Sequence, residues 1–549
     1  MTGLDWWMYH GDGQHTGAFF DNSIPLNPST AKFLRQLPPI VLPNTQSTKG
    51  VPAIVSGQAY VGTTSAAGGG NLFRINLTTG NIEATFTSPT PPSKYPDGTA
   101  LKWPWGTGFA STAAVVGGDV FCASLEGAVY CLDTESLAVK WSVDLQHPDP
   151  QHHQFVDQGL VLASCWTSPL VVNNRVFVGF GRGDDGSTDP HDLAGFGFVY
   201  CLDASTGNVL WLFCTSLFEV GQDNGPNQIP ESLVNVALSS LFVSRPDPPN
   251  RGAAVWSSCA YDSGLNRIYV GVGNMAGGGG LPGPPYSNGV LSLDADSGQL
   301  KGFFEPAQTD AYVASDTDLD MAGSPTIFTN GQGERVVGIG GKSGSYFLLS
   351  ADGLNKLFGR QLLPYKYGQP IQDSSGAAIN SGGDYGIFSA AAVDETEGRL
   401  FVVMGGSVDP SSTPILRALH WDDLSDAWPT TTIDGISKYD VPGAQQLYQS
   451  WPQAKFTDSS PAIANGVVLV TTSAYAPSPA AIYAFDCESG ELLWSDAIDQ
   501  VCLGPALWPG GVVGLGGRTF RSWIVRPTTP PPPIVADIVP QITPLLLSS

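Results

Sequence analysis

The chain has 549 residues, 66 of them Gly and 44 Pro, and only 13% are charged, against about 25% in an ordinary globular domain. A balance of 49 acidic to 25 basic residues gives a net charge of −24, which argues against binding a phosphate backbone or an anionic lipid surface. Hydrophobic content of 42%, with 14 Trp, 17 Tyr and 25 Phe, is ample for a large core and excludes disorder for the chain as a whole.

The N-terminal MTGLDWWMYHGDG lacks the basic and apolar regions of a signal peptide, and no apolar run is long enough to span a bilayer. The expected location is the secretory pathway or the exterior, with a leader removed, and the cytoplasm is the alternative. Asn76-Leu77-Thr78 is an acceptable glycosylation sequon.

From residue 50 onward short apolar runs follow one another, as in GQAYVGT, DVFCAS, RVFVGF, RIYVGVGN and GVVLVTT. Most precede one repeated phrase. LFRINLTTGNIEA begins at Leu72, VYCLDTESLAVKW at Val129, VYCLDASTGNVLW at Val199, VLSLDADSGQLKG at Val290 and IYAFDCESGELLW at Ile482. Weaker versions start at Ser345 and Ile415. Each copy has alternating apolar residues, an Asp or Asn, a polar turn and a second strand. An internal repeat of this period predicts an array, and strand–turn density this high predicts all-β structure. Closing the units into a ring protects the strand edges, so the expected fold is a β-propeller.

Seven signatures are centred near residues 76, 133, 203, 294, 350, 420 and 486. The segments before residue 60 and after residue 500 are expected to complete an eighth blade. Residues 1–526 then form a single propeller domain, and 527–549 a Pro-rich tail. In VFCASLEGAVYC, a two-residue turn at Glu126-Gly127 would set Cys122 opposite Cys131. Facing cysteines in a non-hydrogen-bonded pair lie within disulfide range, and two buried thiols are the alternative.

The repeated phrase resembles the tryptophan-docking repeat of the quinoprotein dehydrogenases, eight-bladed propellers that hold pyrroloquinoline quinone (PQQ) and usually Ca²⁺ on the ring axis. DWWMYHGDGQHTG, RGAAVWSS, IYVGVGN, MAGSPTIF and GGKSGSYFLL are most similar to the polyvinyl alcohol dehydrogenase-like branch. The resemblance implies that Trp256 is the stacking floor, Asn274 a Ca²⁺ ligand and Lys342 the cation near the quinone oxygens. It places the catalytic base among Asp316, Asp318 and Asp320. The family's Ca²⁺-binding Glu is replaced by Asp184 or Asp185, and the Arg that pairs the cofactor carboxylates is absent from GTGFASTAAVV. Asp384 and Tyr385 are further substrate-binding candidates. No CxxCH occurs, so electrons would pass to a separate acceptor.

Burying the carboxylates of PQQ without paired cations is costly. The expected function is therefore a cofactor-free, small-molecule enzyme that steers a cyclisation of an oxygenated natural-product intermediate, a hetero-Diels–Alderase-like activity that the same branch also implies. The alternatives are a PQQ- and calcium-dependent alcohol dehydrogenase, an oxidoreductase, and a propeller that binds without catalysis. The expected partner is a small-molecule substrate, with no nucleic acid and no membrane. His147, His152 and His153 lack metal-site spacing and read as a surface loop.

Overall fold

The repeated phrase builds the outer half of the sheets that carry it. In a computed structural model, the structure describes residues 5–526 apart from 22–23, 66–67, 92–105, 146–164, 182–196, 216–227, 231–250, 274, 277–285, 307–319, 322, 363–370, 373–377, 380–385, 405–415, 429, 434–435, 440–458, 473–479 and 499–503. Eight sheets, antiparallel except where Ala18–Phe19 pairs in parallel with Ala462–Ala464, follow one another along the chain as the blades of a propeller. Their innermost strands are Ala53–Val55, Ala114–Val116, Leu170–Val172, Ala260–Asp262, Thr326–Thr329, Ala392–Asp394, Ala462–Ala464 and Ala506–Trp508, which number the blades one to eight below. Blade eight takes its outer strand from the N-terminal region, where Leu34–Gln36 pairs with Thr519–Val525. The two chain ends therefore close the ring, as the missing eighth signature predicted.

Within a blade, the phrase forms a strand, a tight turn and the outer strand. The Asp of the phrase makes that turn. Asp133 Oδ1 accepts from the amides of Glu135 and Ser136 and from the Ser136 hydroxyl, which hold its carboxyl down to about 2. Asp203, Asp294 and Asp486 repeat the arrangement, and Asn76 reproduces it with its amide oxygen. A bulge follows at the same place in successive copies, between Cys131 and Leu132, Cys201 and Leu202, and Ser292 and Leu293. It re-aims the outer strand, which is what a bulge does to side chains beyond it.

The Trp that ends the phrase is thereby turned onto the next blade. Trp141 lies on Gly207 and donates its Nε1–H to the Ala204 carbonyl at 2.9 Å. Trp211 lies on Gly298 and donates to Ala295 at 3.3 Å, and Trp428 lies on Gly490 and donates to Cys487 at 2.9 Å. Glycine is required at these turns. At Gly298 the backbone has φ +69°, and a Cβ would stand 2.6 Å from the Trp211 ring.

The Cys122–Cys131 pairing is corrected by the register. Cys122 faces Tyr130, and Phe121 faces Cys131. The hairpin closes with Gly127 N donating to Ser124 O and Ser124 N to Ala128 O, and Gly127 takes φ +85°. That is a three-residue loop, Leu125–Gly127, in place of the two-residue turn, and it shifts the pairing by one. A one-residue slip moves a side chain to the other face. Cys122 consequently packs with Tyr60 and Phe109, while Cys131 packs with Phe121 and Phe177. Both are free, buried thiols, and burial pushes Cys131 up to about 12.

Residues 6–17 run across the inner strands and tie them together. The backbone amides of Ile54, Val115, Tyr261, Ile327, Val393 and Ile463, the centres of six innermost strands, donate to the carbonyls of Trp6, Trp7, Gly13, Gln14, Thr16 and Gly17. His10 and His15 are buried in this tie. His15 Nδ1–H donates to the Pro325 carbonyl at 2.8 Å. Burial, with His10 beside it, lowers His15 to about 3. An unfolded His titrates near 6.5, so between about 6.5 and 3 the unfolded chain takes up a proton that the folded chain refuses. Stability from this group is complete above pH 6.5 and declines as pH falls toward 3. A His15→Leu variant is expected to show a shallower loss of melting temperature between pH 6.5 and 4 than the wild-type chain; parallel profiles would contradict this.

Candidate active site on the ring axis

The axial site starts from a tier of hydroxyls just before the inner strands. Val51 N donates to Thr112 Oγ1 at 3.1 Å, Thr112 N to Ser168 Oγ at 3.0 Å, Ser168 N to Ser258 Oγ at 3.0 Å and Ser258 N to Ser324 Oγ at 3.0 Å. These bonds run from blade to blade, one to five, at a single level. One residue earlier, Ser257 Oγ donates to the Gly271 carbonyl and accepts from the Gly271 amide. The backbone of Trp256 is therefore fixed from both sides, and its indole is left half-buried.

Lys342 comes from the turn between Arg335–Gly340 and Ser345–Ser350 of blade five. Its amide donates to the Asp320 carbonyl at 2.9 Å. Its ammonium lies 2.6 Å from Asp320 Oδ2 and 5.3 Å from the centre of the Trp256 ring. The lysine side chain is 10% exposed and the aspartate 4%, so this is a buried ion pair resting on an aromatic face. Glycines make the approach possible. A Cβ at Gly273 would lie 2.8 Å from Asp320 Oδ1, and one at Gly386 would lie 2.3 Å from the Lys342 Cα. Phe388 adds a second ring, 6.3 Å from Trp256 and inclined 38°.

Of the residues expected from the sequence, Trp256, Lys342 and Asp320 come together. Asp320 is the member of the Asp316, Asp318 and Asp320 set that pairs with the lysine. Asp316 and Asp318 lie outside the described residues, as do Asn274, Asp184, Asp185, Asp384 and Tyr385. Phe388 was not anticipated. The signal for it is internal: GIFSAAAVD aligns with AVWSSCAYD, which puts Phe388 at the position of Trp256 two blades away.

The described residues supply part of what PQQ needs. An aromatic floor and a cation beside it suit the quinone ring. The 107–116 stretch, where the cofactor's carboxylates would need an Arg, has Phe109 fully buried and packed 6.0 Å from both Phe86 and Tyr130. Ser111 and Thr112 are committed to the backbone of Ala123 and Val51. Lys342 is already matched by Asp320. Residues 107–116 thus offer no cation to pair a cofactor carboxylate. Among the described residues no group of three or more His, Cys, Asp or Glu is arranged to hold a metal, and no helix is long and apolar enough to cross a membrane.

The family described as "Glucose/ethanol/alcohol dehydrogenase, beta-propeller domain" matches residues 160–357. A quinohemoprotein alcohol dehydrogenase of Pseudomonas putida is 25% identical over 297 residues, covering 51% of this chain and 37% of the relative. Lupanine 17-hydroxylase [cytochrome c] of a Pseudomonas species is 24% identical over 340 residues, 60% of this chain and 44% of its own. The chain thus spans less than half the length of these relatives. The quinohemoprotein alcohol dehydrogenase of Comamonas testosteroni superimposes with a TM-score of 0.62 at 16% identity, over 96% of this chain and 82% of that one. A europium-containing methanol dehydrogenase gives 0.62 at 15% identity, over 94% and 90%. The chain is an eight-bladed propeller of the PQQ type, similar in sequence and in fold to the quinoprotein alcohol dehydrogenases.

Proposed function

We propose that the chain is a small-molecule enzyme that steers a cyclisation in the axial pocket without a redox cofactor. The observation that carries this reading is the Asp320–Lys342 pair lying on the Trp256 face while Phe109 fills the stretch that would need the cofactor's counter-charge. Trp256 and Phe388 hold a flat conjugated molecule. The Lys342 ammonium donates to a carbonyl oxygen of that molecule and draws electron density from it, and Asp320, 2.6 Å away, holds the ammonium in place. In a hetero-Diels–Alder closure one C–C and one C–O σ bond form as three π bonds become one, with no atom or electron gained or lost, so no oxidant is required. Orientation alone can supply about 7–11 kcal/mol.

A second reading, a PQQ- and calcium-dependent alcohol dehydrogenase, is favoured by the names of the relatives, which are quinoprotein and quinohemoprotein dehydrogenases. Adding PQQ and Ca²⁺ separates the two. A ligand at a hundred times its Kd stabilises by about 2.7 kcal/mol, which a thermal melt resolves. The cyclisation reading expects no such rise and no dye reduction by alcohols. Submicromolar PQQ binding with alcohol-dependent dye reduction would overturn it. For a propeller that only binds, Trp256→Ala would weaken ligand binding without any turnover to lose.

A further inference from the structure

Trp256 stands four residues before Ala260, where the inner strand of blade four begins, and Phe388 four residues before Ala392, where that of blade six begins. Each directly precedes a buried serine, Ser257 or Ser389. Each inner strand is then anchored to the N-terminal tie, Tyr261 N donating to the Gly13 carbonyl and Val393 N to the Thr16 carbonyl. The two rings therefore leave their blades in one register and meet across blade five, with their centres 6.3 Å apart.

Both rings are held from behind. Ser257 fixes the backbone after Trp256 through its two bonds to Gly271. Before Phe388, Ile387 N donates to the Gly341 carbonyl at 3.0 Å. After it, the Ala391 carbonyl and amide exchange two bonds of 3.1 Å with Thr326 Oγ1 of blade five. Yet the rings themselves stay partly open. In residues 253–262 every residue is buried except Trp256, and in residues 386–394 every residue except Phe388. Two adjoining apolar rings kept out of the core within otherwise buried segments mark a surface reserved for a ligand.

The shape of that surface is set by the 38° between the ring planes. A flat ligand clamped between two rings needs a contact distance of about 3.5–4.0 Å on each side. Rings 6.3 Å apart are too close to clamp one, so they lie side by side as a floor with a fold in it. A rigid flat molecule stacked on one ring is tipped by 38° from the other. Only a molecule that bends between two flat parts covers both.

We propose that Trp256 and Phe388 form one folded floor that selects a substrate of two conjugated halves joined through a saturated link, one half on each ring, with Phe388 as the residue that sets this selectivity. This rests on the reading of the axial pocket given above and names its substrate class. When two π components close a ring, the atoms that bond become tetrahedral and the flat system bends there. A folded floor thus favours the closing form over the open one.

The test uses 4-hydroxybibenzyl, whose two rings are joined by a saturated link, and trans-4-hydroxystilbene, the rigid flat molecule of the same skeleton, each titrated calorimetrically into the full chain. Wild-type protein is expected to bind the bibenzyl about tenfold more tightly, a ratio worth about 1.4 kcal/mol. Phe388→Leu should lower the bibenzyl to the affinity of the stilbene and leave the stilbene bound as before, while Phe388→Trp keeps the ratio. A wild-type protein that binds neither probe or both equally, a Phe388→Leu protein that retains the ratio, or a Phe388→Trp protein that loses it overturns the inference. The underlying pocket is tested separately: if Trp256→Leu leaves both probes bound as before, the pocket reading fails whatever Phe388 does.

Discussion

Asp320→Ala is expected to lose about 3–5 kcal/mol of stability, because it strands a lysine ammonium in a site with little water. Lys342 keeps 10% of its side-chain exposure and Asp320 4%, so solvent cannot take over the role of the carboxylate. The loss should be recovered in large part by Asp320→Ala with Lys342→Met, since removing both charges removes the desolvation cost along with the attraction. Urea unfolding of the two single variants and the double variant gives the coupling directly. Near-additive single losses, or an Asp320→Ala cost under about 1 kcal/mol, would show a hydrated surface pair. The site would then lack the dry environment in which one ammonium can polarise a carbonyl.

Trp211→Ala is the second large effect, expected at about 3–5 kcal/mol. The ring is 2% exposed, lies 5.8 Å from Phe177 and covers Gly298 on the next blade. Its removal opens a cavity between blades three and four, the pair that carries Trp166 and Trp256. Gly298→Ala attacks the same contact from the other side, through φ +69° and a Cβ only 2.6 Å from the indole, and should cost about 1–3 kcal/mol as overpacking does. If chemical denaturation leaves Trp211→Ala within about 1 kcal/mol of wild type, the docking contact is not what joins these blades.

The repeat made the ring legible because each part of its phrase has a local job: the Asp folds the turn, the bulge aims the strand, and the Trp covers a glycine. The eighth blade was legible by elimination, since a ring with seven signatures needs the chain ends to close it. Register was less legible. A two-residue and a three-residue turn fit the letters SLEGA equally well, and the αL conformation of Gly127 decided the matter by one residue, enough to separate Cys122 from Cys131. At the site, Trp256 and Lys342 were legible through resemblance. The choice of Asp320 was not, because sequence spacing does not say which of three alternate aspartates turns toward a lysine on the following blade.

The most direct test of the cofactor-free account is the quinone and metal content of protein purified from a host supplied with PQQ and Ca²⁺. The account predicts quinone and calcium well below one per chain, in a protein that is folded. About one PQQ and one calcium per chain, retained through gel filtration, would contradict it and make the axial site that of a dehydrogenase.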